Sequence, residues 1–307
     1  MSIFSLEPQP AAPIAAPHLV AIATPAQRPR VWPVFLALVV AIVAALAVQI
    51  GFAVCVGVWL LLQDVKPAQL ADKLIATLMQ PAAFIGLAGL SQIVMGGVAL
   101  VAAWLSPVPL ARRLGFVKSI WSARETLIVL LGTLVPFAIG ISSAYALTKV
   151  LAPDPSVKML YENMTLAWFV VFIPFIGLAP GFNEEMLFRG YVQRRLLVRF
   201  NPWLGLMITS VGFGLFHVTP HAIAAAFPLG VWLGLMAWRS GSIWPGILCH
   251  ALVNGLWNVR AMGVKFEWFP ERPSPALLVV LALIGVPAFF WSLRIMAGRP
   301  APDYAAA

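Results

Sequence analysis

The sequence predicts an all-α fold, a polytopic bundle of about eight transmembrane helices. Of its 307 residues, 61% are hydrophobic and only 10% are charged. The mean hydropathy of the chain is +0.92, which lies outside the range of ordinary soluble domains. Several apolar runs approach the ~20 residues that a helix needs to cross the hydrocarbon of a bilayer. These observations exclude a soluble domain and favour a single membrane domain.

The apolar runs can be placed along the chain in order. Repeated prolines prevent a regular helix in residues 1–30, so we expect a disordered Pro- and Ala-rich cytoplasmic tail there. The transmembrane domain is expected over residues 31–298, followed by a short cytoplasmic tail over residues 299–307. Within the domain, we place the spans at Trp32–Leu62, Pro81–Leu105, Thr126–Lys149, Thr165–Arg199, Trp203–His217, Ala222–Trp238, Ile243–Arg260 and Ala276–Met296.

The basic residues cluster in the short segments between the apolar runs. A net charge of +9 can indicate nucleic-acid binding, but this placement is typical of the positive-inside rule, so we expect no nucleic-acid partner. We expect an integral multi-pass protein of a bacterial inner membrane, with both termini in the cytoplasm. Twelve Lys and Arg residues then lie inside and seven outside. The inner set is Arg28, Arg30, Arg112, Arg113, Lys118, Arg124, Arg194, Arg195, Arg199, Arg239, Arg294 and Arg299, and the outer set is Lys66, Lys73, Lys149, Lys158, Arg260, Lys265 and Arg272.

Away from the span ends, few ionisable residues lie within the predicted spans, and they are confined to three of them. Such a side chain costs at least ~2.5 kcal/mol at bilayer depth unless it is paired or hydrated, so each one needs an explanation. Together with one asparagine, the candidates are Glu184, Glu185 and Arg189 on the fourth span, His217 on the fifth, and His250 and Asn254 on the seventh.

Helix geometry places these side chains at similar depths. Glu184 and His217 lie fifteen and fourteen residues from the ends of the turn that joins their spans, a rise of about 21–23 Å in each case. If the membrane surface lies nearer Arg194, that depth is about 15 Å, and His250, nine residues past the Gly241 turn, lies at about 14 Å. Asn254 follows His250 by one helical turn on the same face. We therefore expect one shared active-site cavity, open to the cytoplasm.

This set of side chains suits hydrolysis of an amide bond without a Ser or Cys nucleophile. A carboxylate beside an imidazole can take a proton from water, and a second His and an Asn can donate hydrogen bonds to the oxyanion that forms at the attacked carbonyl. A divalent metal such as zinc, held by Glu184, His217 and His250, is a related solution, because a bound metal also activates water. The residues alone leave both solutions open.

The same residues resemble the signature of the CPBP family of CAAX proteases and bacteriocin-processing enzymes, also called Abi proteins. The family pattern is Glu-Glu-x-x-x-Arg on one helix, Phe-x-x-x-His on the next, and His-x-x-x-Asn or Asp on a later one. Over about residues 165–260 the chain meets this pattern in the same order. The matching residues are Glu184, Glu185 and Arg189, then Phe213 and His217, then His250 and Asn254.

The resemblance implies an intramembrane endopeptidase that works in the lipid bilayer on a membrane-associated peptide or protein, of the CAAX or bacteriocin type. It implies that Glu184 and His217 activate the water, with support from Glu185. It assigns the oxyanion to His250 and Asn254. Arg189, one helical turn after Glu185, would be the structural ion-pair partner of that carboxylate.

Each motif also has an interpretation without catalysis. The Glu pair could form a structural ion pair with Arg189, and the motif histidines and Asn254 could be hydrogen-bonded packing residues between helices. His221 lies four residues after His217, but Pro220 disturbs the helix between them, so we do not expect His221 to take part. For the whole chain, the alternatives are a non-enzymatic membrane scaffold or immunity protein and a proton-coupled transporter.

Overall fold

The computed structural model of the protein describes residues 30–302 and residue 304. This part is mostly helical, and no β-strand occurs in it. The predicted tail over residues 1–30 lies outside the described residues except for Arg30. A 3₁₀ turn at Pro67–Gln69 precedes the second helix, and a π-helical segment at Met186–Gln193 joins the eighth to the ninth. The α-helices are α1 (Trp32–Leu62), α2 (Leu70–Leu78), α3 (Pro81–Trp104), α4 (Leu110–Arg113), α5 (Ala123–Gly132), α6 (Leu134–Leu147), α7 (Pro155–Asn163), α8 (Leu166–Glu185), α9 (Arg194–Arg199), α10 (Pro202–Leu215), α11 (Pro220–Ser240), α12 (Trp244–Lys265) and α13 (Pro275–Ala297).

The predicted all-α polytopic bundle is confirmed. Within the described residues, six helical stretches are long and apolar enough to cross a membrane, and each overlaps a predicted span. The other two predicted spans correspond to α10, which has only 14 residues, and to α12, whose 22 residues include His, Asn and Arg. The total of eight spans therefore stays a prediction. The six stretches are Trp32–Leu62, Pro81–Trp104, Ala123–Leu147, Leu166–Arg199, Pro220–Ser240 and Pro275–Ala297.

Local sequence signals set the turns between the helices. Ser122 and Glu125 form a capping box at the start of α5. At the start of α11, the Thr219 side chain accepts a hydrogen bond from the backbone N–H of Ala222. The turn from α11 to α12 needs a left-handed residue, and Gly241 supplies it with a φ of 74°. Short turns of this kind make α10, α11 and α12 neighbours in space as well as in sequence.

One end of the bundle, which we call the basic end, collects the segment before α5, the turn from α11 to α12, and the chain after α13. The backbone N–H of Ile243 donates to the Gly115 carbonyl at 3.1 Å. The Tyr304 hydroxyl donates to the Ala237 carbonyl at 3.0 Å, which fixes the chain after α13 against α11. These contacts hold the loops of this end together.

The opposite end, which we call the open end, is formed by the segment around α7, the turn from α10 to α11, and the end of α12. Lys265 on α12 donates through Nζ to the Glu162 carbonyl at 2.9 Å. The Nε2 atom of His221 on α11 lies 3.1 Å from the Leu151 carbonyl. The loops of this end are therefore joined to one another and not to the basic end.

Helices α8 and α12 pack closely because glycine lies between them. A Cβ atom on Gly181 would lie 3.0 Å from the backbone N of Ala251, so a larger residue there would push the helices apart. The close approach brings the carboxylates at the end of α8 against the imidazole on α12. This helix pair is the frame of the candidate site.

Candidate active site

The two predicted carboxylates lie where α8 changes its helical form. Glu184 and Glu185 are the last residues of α8, and the π-helical segment that follows is buried at all eight of its positions. Turns of π-helix occur frequently at functional sites because they change which side chains share a face. Glu185 is completely buried, and 8% of Glu184 is exposed. Both acids therefore lie inside the bundle.

Glu185 forms the ion pair that the sequence predicts. Arg189 donates through Nη1 to Oε1 of Glu185 at 2.8 Å, and both side chains are fully buried. Arg189 also donates through Nη2 to the Gly230 carbonyl at 3.1 Å, and its guanidinium carbon lies 4.0 Å from the centre of the Phe213 ring. A buried ion pair needs such additional partners to offset the loss of water. Arg189 therefore links α8, α10 and α11 around one carboxylate.

His250 on α12 contacts both carboxylates. Its Nδ1 lies 3.0 Å from Oε1 of Glu185, and its Nε2 lies 3.8 Å from Oε2 of Glu184. Because an ionised carboxylate only accepts hydrogen bonds, Nδ1 is the donor to Glu185. One turn earlier on α12, a Cβ atom on Gly246 would lie 2.9 Å from Oε2 of Glu185, so glycine is needed for this approach. The contact orients the imidazole.

His217 lies in the same region but does not contact the acids. It follows the end of α10, and its Nδ1 lies 3.0 Å from the Phe213 carbonyl, so Nδ1 donates and Nε2 is left as the free ring nitrogen. The Phe213 ring lies 5.0 Å from the His217 ring and 5.7 Å from the His250 ring, measured between centroids. No ion pair in the described part of the chain includes His217. His250, and not the predicted His217, is the imidazole beside Glu184.

Asn254 is part of a chain of hydrogen bonds that reaches the open end. It lies one turn after His250 and donates through Nδ2 to the Ile176 carbonyl at a long 3.4 Å. Asn258 donates to the Asn254 carbonyl at 2.8 Å and accepts from the Tyr161 hydroxyl at 2.6 Å. Tyr161 lies on α7, and burial raises its pKa to about 12, so it stays a hydrogen-bond donor at ordinary pH. The chain fixes this stretch of α12 beside the cavity.

Gln92 on α3 belongs to the site but to none of the three sequence motifs. It donates through Nε2 to Oε1 of Glu184 at 3.1 Å. The sequence does contain a sign of this role. Gln92 is a lone amide in a long apolar span, where a polar side chain needs a hydrogen-bond partner. The other oxygen of Glu184, Oε2, is buried without a hydrogen-bond partner in the structure. Gln92 therefore holds one carboxylate oxygen and leaves the other available.

A cavity of about 1160 Å³ lies next to this cluster. His217, His250 and Asn254 reach it, whereas Glu184 and Glu185 lie behind His250 and do not line it. The walls come from α6, α7, α11 and α12 and are mostly apolar. His221 lines the cavity too, with its ring held by the Leu151 carbonyl. The charged residues that line it belong to the open end: Asp154, Lys158, Glu162 and Lys265.

The position of the cavity mouth separates two predictions. The sequence predicts a cytoplasmic basic end and also a cavity open to the cytoplasm, but the charged residues that line the cavity belong to the end opposite the basic one. If the cavity opens where these charged residues lie, the two predictions place opposite ends of the bundle in the cytoplasm, and both stay predictions. Counting residues along helices fixes the depth of a side chain and leaves the direction of opening undetermined. His217 illustrates this, because α10 is short and the residue already lies beyond its end.

The predicted metal ligands do not form a metal site in this arrangement. Glu184 and His250 are close together, but His217 is directed to the Phe213 carbonyl and makes no contact with either acid. Over residues 30–302 and 304, no group of three or more His, Cys, Asp and Glu side chains is placed to hold an ion. The donor set does not fit zinc, which takes at least three protein ligands in catalytic sites.

Fold and site together define a polytopic membrane protein with a buried carboxylate and imidazole cluster beside a large apolar cavity. Residues 166–256 match the model of a family described as type II CAAX prenyl endopeptidase, Rce1-like. This stretch runs from the start of α8 into α12 and contains every residue of the three motifs, so the resemblance stated from the sequence is confirmed. The match supports intramembrane endopeptidase activity. No curated protein matched the chain, and no solved structure matched it.

Proposed function

We propose that the protein is an intramembrane endopeptidase that hydrolyses a peptide bond of a membrane-associated substrate. The catalytic set is Glu184, Glu185, His217, His250 and Asn254. The observation that carries the proposal is the contact of His250 with both carboxylates next to the cavity. A purely structural ion pair would need only Glu185 and Arg189, and it would leave Glu184 and the cavity without a role.

Glu184 is the proposed general base. Its Oε2 lies 3.8 Å from Nε2 of His250, too far for a direct hydrogen bond and suited to a water molecule that bridges the two atoms. Glu184 takes one proton of this water, and the remaining hydroxide attacks the carbonyl carbon of the scissile bond. The proton then passes to the amide nitrogen as the carbon–nitrogen bond breaks, which regenerates the carboxylate.

Glu185 and Arg189 position the base. Glu185 accepts hydrogen bonds from both Arg189 and Nδ1 of His250, so the imidazole presents Nε2 toward Glu184. Gln92 holds the first oxygen of Glu184 and leaves the second free for water. These groups act through Glu184 and His250 and need no contact with the substrate.

Asn254 and the two histidines face the substrate carbonyl. The Asn254 amide is a natural donor to the oxyanion, because its only hydrogen bond in the described part of the chain is long. A donor role for Nε2 of His250 requires a proton on both ring nitrogens, because Nδ1 already donates to Glu185. His217 presents a free Nε2 and is therefore placed to accept a proton from water or to return one to the leaving amine.

The cavity supports a lipid-modified or strongly apolar peptide as the substrate class. Its volume of about 1160 Å³ exceeds that of an ordinary small-molecule pocket, and its walls are mostly apolar. The matched family, as its description states, contains prenyl endopeptidases of the CAAX type. A farnesylated CAAX peptide is therefore the probe of choice.

The test uses purified protein in lipid nanodiscs with a fluorogenic CAAX peptide, farnesylated or not. Glu184→Gln keeps the shape and hydrogen bonding of the side chain but cannot accept the proton, so we expect turnover to be lost while the protein still folds. Glu271→Gln, a change at an exposed carboxylate that does not line the cavity, is the matched control and should keep its activity. Asn254→Ala should lower the rate by about 10²–10³-fold. Full activity of Glu184→Gln would refute the proposed base.

Chelation separates this mechanism from metal catalysis. With Glu184 as the base, strong chelators should leave peptide hydrolysis intact. If a metal is required, chelation should abolish turnover, a divalent ion should restore it, and His217→Ala and His250→Ala should both lose bound metal. Metal analysis of the purified protein, read beside the rates, distinguishes the two results.

A further inference from the structure

A group of arginines at the basic end is not used by the proposed chemistry. Arg30, Arg112, Arg113 and Arg195 come together where the start of α1, the short helix α4 and helix α9 meet, and we call this group the arginine corner. Arg195 donates through Nη1 to the Arg30 carbonyl at 3.5 Å. Arg113 donates through Nη2 to the Tyr191 carbonyl at 2.9 Å, and its guanidinium carbon lies 4.2 Å from the centre of the Tyr191 ring.

Among the described residues, no acidic side chain forms an ion pair with the arginine corner. None of the ion pairs in the described part of the chain includes one of its four members. The sequence gives the reason, because it contains no Asp or Glu in residues 73–124 or in residues 186–266, which supply α4, α9 and the turns around them. The positive charge of this corner therefore has no partner within the elements that form it.

Arg113 is the member with the strongest need for an anion. Only 3% of its surface is exposed, and its Nε is buried without a hydrogen-bond partner. Burial lowers the pKa of Arg113 to about 10, and the nearby charge of Arg195 adds to the effect. A buried and uncompensated cation is costly, and a bound anion would relieve both the desolvation and the repulsion between the arginines.

Two tryptophans indicate the level of this corner in the membrane. Trp32 begins α1, two residues after Arg30, and Trp104 ends α3 shortly before α4; 59% and 75% of their surfaces are exposed. Tryptophan is enriched at the level of the lipid headgroups. The arginine corner therefore lies where the phosphate groups of phospholipids are found, and guanidinium groups match phosphate in geometry and charge.

We propose that the arginine corner is a binding site for a phosphate group, supplied as the headgroup of an anionic phospholipid. Arg195 and the exposed Arg112 and Arg30 hold the phosphate oxygens, and the buried Arg113 adds positive charge behind them. The acyl chains lie along the apolar outer surface of α1 and α3. The site is on the end of the bundle opposite the cavity mouth and does not depend on the proposed peptidase activity.

The test measures lipid binding to the purified protein in a neutral detergent. Phosphatidylglycerol should bind saturably in native mass spectrometry and raise the melting temperature, whereas phosphatidylcholine should do neither. Each guanidinium removed in Arg112→Gln and Arg195→Gln should weaken binding of phosphatidylglycerol by roughly fivefold. The matched control removes two charges of the same end outside the corner, in Lys118→Gln with Arg199→Gln, and should bind like wild type.

Because Arg113 is buried, Arg113→Gln serves as a third variant only if the protein still folds. The test does not depend on it, because Arg112 and Arg195 are more accessible. Equal binding of phosphatidylglycerol by the Arg112→Gln, Arg195→Gln double variant and by the control would overturn the site. A further measurement adds inorganic phosphate at millimolar concentration in place of lipid and records the melting temperature. If phosphate stabilises wild type as much as phosphatidylglycerol does, the corner binds free phosphate and the assignment to lipid is wrong.

Discussion

Arg189 and Arg113 are both nearly inaccessible, with 0% and 3% of their surfaces exposed, yet their charges are compensated differently. Arg189, deep in the bundle, has a carboxylate, a carbonyl and an aromatic ring around it. Arg113, near the basic end, has a carbonyl and an aromatic ring but no carboxylate. At bilayer depth the protein itself must supply the opposite charge, whereas near the interface water and lipid headgroups can supply it.

The sharpest way to test the contrast between the two ends is to ask which faces the cytoplasm. In a Cys55→Ser background, Val150→Cys reports the open end and Lys118→Cys reports the basic end. The positive-inside rule predicts that a membrane-impermeant maleimide labels position 118 from the cytoplasmic side and position 150 only from the other side. Labelling in sealed vesicles of both orientations gives an all-or-none result.

If the labelling shows position 150 on the cytoplasmic side, the prediction of a cavity open to the cytoplasm survives and the basic end faces outward. Labelling of both positions from the same side would contradict the two-ended architecture itself. Either result fixes the side from which a substrate approaches His217.

The next largest effect concerns the two arginines. Arg189→Ala leaves Glu185 buried and unpaired, so the free energy of unfolding should fall by ~3–5 kcal/mol, and the folding yield should fall with it. Arg113→Ala removes a hydrogen bond from a charged donor to a carbonyl and should cost less, ~1.5–3 kcal/mol. Melting temperatures of the two variants in the same detergent measure the difference. Equal losses would mean that the carboxylate adds nothing to the burial of Arg189.

The smallest expected effect tests the hydrogen-bond chain at the open end. Tyr161→Phe removes the hydroxyl that donates to Asn258 and should lower the free energy of unfolding by ~0.5–1.5 kcal/mol, with a modest loss of turnover through Asn254. Tyr145→Phe removes a largely exposed hydroxyl that, among the described residues, accepts only from Lys149, so it is the matched control for the melting temperature. A wild-type rate and melting temperature for Tyr161→Phe would show that the chain does not position Asn254.

Much of the fold follows from the sequence because a membrane requires long apolar helices. The six described stretches that can cross a membrane overlap predicted spans, and the ion pair of Glu185 with Arg189 follows from helical spacing alone. The similar depth of Glu184 and His250 also follows from counting the helical rise. These features depend on spacing within one helix or on the bilayer, and both can be counted in a sequence.

The remaining features depend on how helices pack against one another. The contact of His250 with Glu184 exists because glycines let α8 and α12 approach, and the Phe213 carbonyl directs His217 elsewhere. The π-helical segment after Glu185 and the direction of the cavity mouth likewise arise from tertiary packing. The spacing of residues along one helix does not determine how that helix packs against its neighbours. The predicted pairing of Glu184 with His217 is accordingly absent among the described contacts.

Gln92 gives the α8–α12 core a dependence on a helix far away in the chain. The matched segment begins at residue 166, whereas the amide that holds Glu184 comes from α3, 92 residues before that carboxylate. A chimera that transplants residues 166–256 into another helical bundle would carry all three motifs and still lack this contact. Engineers who wish to move the site between scaffolds must therefore bring α3, or rebuild its amide on the host helix that packs in the same place.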